Sequence, residues 1–208
     1  DRLEPYWGRK IEGILGGNIL KDFVLTIEYE KKSLSMTDHV PAEIKRTGYR
    51  LPISVMGSTP IVEAQLIIKR ETAPLSGRFI VDTGVRQSLV NTPFTERYNL
   101  LEQSGRTIVN ITGYGIGGLI VERLGRIAYL NFGGARLKNP VLQLSVNKEG
   151  LRTSDLFDGI IGGDLLSRFT VVLDYPDQTL YLAPNGSFGD PFLYDMSGIY
   201  FTMESDVH

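Results

Sequence analysis

The sequence predicts an all-β protein. Its apolar residues fall in short runs rich in valine, isoleucine and leucine, the runs are cut by glycine, asparagine and proline, and only 163–169, GDLLSRF, has a compact helical look. Taken in order, RLPISVMGSTPIVEAQLIIK at 50–69 alternates around a Gly-Ser-Thr-Pro turn and reads as a hairpin. GRFIVDTG at 77–84 supplies the next strand, and RTIVNIT, GLIVERLGRIAYLNFGG and NPVLQLSV follow as further strands joined by turns. The helix at 163–169 opens with Asp164 in its first turn, where a carboxylate suits the helix dipole.

An internal repeat organises the chain. IEGILGGNILKDFVLTIEYEKKSLSM at 11–36 aligns without gaps on FDGIIGGDLLSRFTVVLDYPDQTLYL at 157–182. Gly13, Gly16, Gly17, Leu20, Phe23, Tyr29 and Leu34 recur as Gly159, Gly162, Gly163, Leu166, Phe169, Tyr175 and Leu180. Each copy reads as an apolar strand ending in Gly-Gly, a short helix and a β-hairpin, so duplication explains it better than two unrelated units. Glu28 and Asp174 occupy matching hairpin positions and read as structural.

Composition narrows the chemistry. The chain has 208 residues, 42% of them apolar, enough to build a core. With 22 basic against 24 acidic residues it presents no broad electrostatic footprint for nucleic acid. No stretch approaches the roughly 20 apolar residues of a membrane-spanning helix. There is no cysteine, so thiol nucleophiles and thiolate metal sites are excluded. The two histidines, His39 and His208, lie in polar stretches poorly suited to a Ser-His-Asp triad or a zinc site. Carboxylates remain for acid–base work, and neither metal nor cofactor is expected.

Asp82 is the carboxylate that stands out. It ends the apolar run FIV and is followed by Thr83 and Gly84, and an ionised carboxylate among apolar residues is expensive unless it is hydrogen-bonded or shares a proton. A surface turn would use the same residue types, but the apolar runs on both sides of the turn point to a site.

FIVDTGV, a Gly-rich hairpin and then DGIIGGDLL resemble the aspartic peptidases, most closely the retropepsin-like bacterial proteins with aspartyl protease domains. The resemblance covers 51–185, and the repeat extends it to 11–36. It implies a closed, barrel-like aspartic-peptidase lobe with one short helix over 51–185, a linker at 39–50, and at 1–38 the tail half of a similar upstream lobe. Residues 186–208 would form an exit linker and a strand toward a PDZ-like domain, which often follows in similar bacterial proteins. In this family Asp82, Thr83 and Gly84 would be the catalytic turn, with Ile160, Ile161 and Gly162 passing beneath it as support. Two adjoining carboxylates share a proton, one activating water while the other donates to the substrate carbonyl. Two positions depart from the family pattern: Val85 stands where alanine or serine is usual, and Gly163 stands where retroviral members often carry an arginine.

NITGYGIGGLIVE at 110–122 admits two readings. Gly113, Gly115 and Gly118 match G-x-G-x-x-G, but the residues that follow look like strand, which leaves a phosphate no helix N-terminus to meet. The resemblance makes it a flap, with Gly113, Tyr114 and Gly115 near its tip, closing over a peptide or unfolded-protein substrate. One Asp-Thr-Gly turn leaves the second aspartate to an upstream lobe or a second copy of the chain. The alternative is a non-catalytic peptide-binding or dimerisation module on the same fold. A bacterial peptidase without cofactors points to the cell envelope, periplasm or exterior.

Overall fold

A computed structural model describes residue 13 and residues 15–115 and 118–194; for 110–121 it describes backbone pairing alone. The expectations for 1–12 and for the strand near the C-terminus at 195–208 lie outside these residues. In chain order the elements are α1 (Gly17–Leu20), β1 (Val24–Glu28), β2 (Ser33–Thr37), α2 (Ala42–Thr47), β3 (Tyr49–Pro52), β4 (Ser54–Met56), β5 (Thr59–Ile67), β6 (Leu75–Val81) and β7 (Leu89–Val90). Then come α3 (Thr92–Arg97), α4 (Leu100–Gln103), β8 (Thr107–Gly115), β9 (Gly118–Arg126), β10 (Tyr129–Phe132), β11 (Ala135–Lys138) and β12 (Val141–Ser145). A 3-10 turn (Leu151–Thr153), β13 (Gly159–Ile161), α5 (Gly163–Leu166), β14 (Phe169–Asp174) and β15 (Thr179–Pro184) complete the described chain.

The strands form two sheets. The larger runs β11-β10-β5-β6-β13-β7-β12-β9-β8, with β4 paired to β5; the smaller runs β2-β1-β14-β15-β3. The smaller sheet is built from the two repeats. β1 and β2 come from the first copy, β14 and β15 from the second, and they meet back to back along β1 and β14. Their antiparallel register runs from Val24 opposite Asp174 to Glu28 opposite Thr170, with Thr26 opposite Val172 at its centre. Since Thr26 and Val172 are also equivalent positions of the repeat, a local twofold axis passes between them. The hairpin acids act locally: Glu28 takes Lys31 Nζ at 2.6 Å, and Asp174 Oδ1 accepts the Asp177 N–H.

The two sheets close over one apolar core. Phe132 of β10 meets Phe169 of β14 edge-on at 5.8 Å, and both are fully buried, each worth roughly 1.5–3 kcal/mol of transfer free energy. Leu51 of β3 sits against the β10–β11 turn so closely that a Cβ on Gly133, held at φ +57°, would overlap it. The parallel pair β6 and β13 lies in mid-sheet, which explains the unbroken apolar runs FIV and II.

Three local expectations change. The hairpin read over 50–69 splits at Ile53: β3 joins the smaller sheet beside β15, while β4 pairs with β5 in the larger one. Pro52 cannot donate to a ladder, and the Ile53 N–H turns away to Gln178 O. The single helix expected in the lobe is joined by α3 and α4, whose turns bury Phe94 and Leu100. The segment 39–50 carries α2 and the start of β3, and the segment after β15 is held to the lobe. Arg168 donates to Ser187 O and Asp190 O and lies 3.6 Å over the Phe192 ring. No helix among the described residues is long and apolar enough to cross a membrane.

Candidate active site

Asp82 leaves the end of β6 as the next residue after Val81. Its N–H donates to Ile161 O at 3.0 Å, continuing the β6–β13 ladder by one bond, and its Oδ1 accepts the Gly84 N–H at 2.8 Å. The carboxylate is half-buried, while Thr83 and Gly84 are exposed. The turn therefore presents its carboxyl group from a rigid base. Val85 packs beside Ile61, Ile80, Leu89, Phe157 and Ile160, so its extra bulk fills an apolar cluster beneath the turn.

The sequence IIGGD fastens that base from below. The Gly163 N–H donates to Val85 O at 2.8 Å and the Asp164 N–H to Arg86 O at 2.9 Å. Ser88 Oγ receives the Gly162 N–H at 2.8 Å and donates to Asp164 Oδ1 at 2.6 Å, and the Ser88 N–H donates to the same oxygen. Gly163 follows IIG here, and the Asp164–Ser88 pair ties the start of α5 to the turn. Sequence reasoning missed Ser88 altogether and gave Asp164 only a helix-start role. The Ser88–Asp164 bond joins residues 76 positions apart, so no local pattern marked it.

Gly162 is required by closeness. A Cβ there would lie 2.6 Å from Val85 O and 3.2 Å from the Gln87 carbonyl carbon. Gly162→Ala is expected to push the turn off β13 and to destabilise by about 1–3 kcal/mol, typical of overpacking. Urea unfolding measures it, and an unchanged midpoint would refute the close contact.

Burial pushes the Asp164 carboxyl above its ordinary value, partly offset by the hydrogen bonds from Ser88 and Leu165. A carboxyl raised in the folded state favours folding while protonated, below its unfolded value near 3.8, and that contribution is lost as pH rises through the folded value. Asp164→Asn keeps an oxygen acceptor and removes the titration. Stability measured from pH 3 to pH 7 is expected to fall less steeply in this variant than in the parent. Equal slopes would show that Asp164 does not titrate out of register.

Tyr175 follows β14 in the smaller sheet and is buried. Burial raises its phenol first, and the Asp82 carboxylate raises it further. Its repeat counterpart Tyr29 is pushed up to about 12 by burial.

The segment around Gly113, Tyr114 and Gly115 is the far part of the β8–β9 hairpin, with Tyr114 opposite Leu119 and Gly115 opposite Gly118. β12 supports its root, from Glu122 to Arg126, and among the described residues the two strands beyond Glu122 pair only with each other. A strand, not a helix, follows the glycines, which removes the dinucleotide reading. The root is pinned by fully buried Glu122, which pairs with Arg152 and accepts Asn147 Nδ2 at 2.8 Å. Among the described residues no cluster of His, Asp and Glu could hold a metal.

Comparison with known proteins accords with this geometry. Residues 71–165 match the aspartyl protease family. No curated protein matches the chain. Among solved structures, the aspartic proteinase from Irpex lacteus is similar at a TM-score of 0.50 and 15% identity, over 81% of this chain and 57% of that one. A retropepsin-like aspartic protease from Rickettsia conorii aligns at a TM-score of 0.44 and 17% identity, over 65% of this chain and 89% of that one. The chain thus spans little more than half of the fungal enzyme.

Proposed function

We propose that this chain, an aspartyl protease family member over residues 71–165, is part of an aspartic endopeptidase in which Asp82 is one of two catalytic carboxylates. One observation carries the reading: a carboxylate on a turn fixed by Ile161 O below and by its own Gly84 N–H, with a β-hairpin projecting from the same sheet. In this mechanism Asp82 and a second aspartate share one proton. The ionised one takes a proton from water as it attacks the peptide carbonyl, and the protonated one donates to the carbonyl oxygen. The roles exchange when the amine leaves. Thr83 positions the turn against its partner, and Gly84 leaves room for it. Gly113, Tyr114 and Gly115 would cover the bound peptide and exclude water.

The second aspartate comes from an upstream lobe or from a second copy of the chain. Light scattering with a casein cleavage assay near pH 5, repeated with a statine-type inhibitor, separates these. A dimer that cleaves, is inhibited and is silenced by Asp82→Asn assigns both aspartates to two copies. An inactive monomer means that Asp82 waits for another lobe or has lost its catalytic task. A complete assembly that binds peptide equally well after Asp82→Asn, and cleaves no substrate, would sink the peptidase reading in favour of a binding module.

A further inference from the structure

The turn of residues 82–88, DTGVRQS, carries two charged side chains, and the proposed mechanism uses one of them. The other is Arg86, which is exposed. The charges around it are answered: Asp164 by hydrogen bonds from Ser88, Asp158 by Arg97, and Glu122 by Arg152. Among the described residues no carboxylate lies within ion-pair distance of Arg86, Asp82 and Asp164 included. Its backbone is nevertheless fixed. The Arg86 carbonyl accepts the Asp164 N–H at 2.9 Å, and the Val85 carbonyl accepts that of Gly163 at 2.8 Å. On one side Val85 packs into the apolar cluster, and on the other Gln87 Oε1 takes Gln143 Nε2 at 3.2 Å. Arg86 is therefore a planar fork of donors on a held support, with its side chain left to solvent.

The turn also limits how far that fork stands from Asp82. The Val85 N–H donates to Asp82 O at 3.4 Å, a closure that keeps the Cα atoms of 82 and 85 within about 7 Å, and one further residue adds at most about 3.8 Å. A peptide extended over Asp82 advances about 3.3 Å per residue, so substrate residues about two to four places from the bond to be cut pass beside Arg86. We infer that Arg86 is a specificity-determining residue of the proposed peptidase, taking the carboxylate of an aspartate or glutamate in the substrate a few residues from the scissile bond. The inference rests on the peptidase reading above. A carboxylate meets the guanidinium through two parallel N–H···O bonds, whereas a lysine at the same place meets a like charge. Closure of the β8–β9 hairpin would exclude water and strengthen the pair.

The test uses the assembly that supplies the second aspartate and matched octapeptides carrying glutamate, glutamine or lysine at one position, each position in turn. At about pH 5.5, where these carboxylates are ionised, the glutamate peptide is expected to exceed its glutamine counterpart in kcat/KM on the order of tenfold at one position, with lysine below both. Added salt should narrow the gap. Arg86→Glu should reverse the order, and Arg86→Lys should keep it at a smaller ratio; neither touches the carbonyl that holds the Asp164 N–H. The same ranking is expected for peptide binding to Asp82→Asn, a readout that needs no cleavage. Cleavage without a charge preference, or a preference that survives Arg86→Glu, overturns the inference and leaves the peptidase reading standing. An Arg86→Glu variant that loses its assembly by light scattering while its peptide ranking stays as before would place the guanidinium at a contact between lobes, which overturns it too. Binding that ranks glutamate first through Arg86, with no peptide cleaved, keeps the acidic-peptide contact and counts against the peptidase reading alone. Equal binding of the three peptides, or none, with no cleavage overturns both.

Discussion

On the proposed peptidase reading, Asp82→Asn is expected to lower peptide cleavage by about 10²–10⁴-fold in the assembly that supplies the second aspartate, the range a positioned acid–base group supplies. Asparagine keeps an oxygen to accept the Gly84 N–H, and the backbone bond to Ile161 O does not depend on the side chain. The variant should therefore melt with the parent and still bind peptide. What it loses is the shared proton, since an amide neither activates water nor donates a carboxylic proton. Comparing kcat with KM makes the distinction: a fall confined to kcat fits the acid–base role, whereas a rise confined to KM would make Asp82 a binding residue.

The largest effect on stability is expected at Glu122. Its side chain is fully buried, and replacing it with alanine leaves the Arg152 guanidinium without its counter-charge and Asn147 Nδ2 without that acceptor. Breaking a buried pair from one side typically costs about 3–5 kcal/mol. Burial already depresses the Arg152 guanidinium, a sign that desolvation opposes its charge. Arg152→Met in the same background should recover part of the loss, because it removes the stranded cation. A double-mutant cycle in urea measures the coupling; a coupling near zero would mean that the pair holds nothing together.

What the sequence made legible follows physical range. The strands on either side of the Asp-Thr-Gly turn and the strand, helix and hairpin of the second repeat are local patterns, and they lie where their period or spacing puts them. Helices α3 and α4 were illegible because six and four residues carry too little periodicity, and their fit depends on burying Phe94 and Leu100 against distant strands. Pro52 could have signalled the break between β3 and β4, but which sheet each half joins is decided by partners far along the chain. The same holds at the site. Ser88 and Asp164 are separated by 76 positions, and nothing near either one announces their bond. The repeat was plain in the letters, yet the contrast in burial between Leu34 and Leu180 exists only in three dimensions.

That long-range fastening has a consequence for the timing of synthesis. The turn at Asp82 is not held until β13 has slid between β6 and β7, and the residues that lock it, Ile161 to Asp164, are among the later parts of the lobe to be made. At translation rates of about 5–20 residues per second, the 76 positions from Ser88 to Asp164 take about 4–15 s to emerge. During that interval the turn at Asp82 lacks its hydrogen bonds to Ile161, Gly163 and Asp164. In the proposed peptidase, the geometry at Asp82 would therefore form only as the lobe closes.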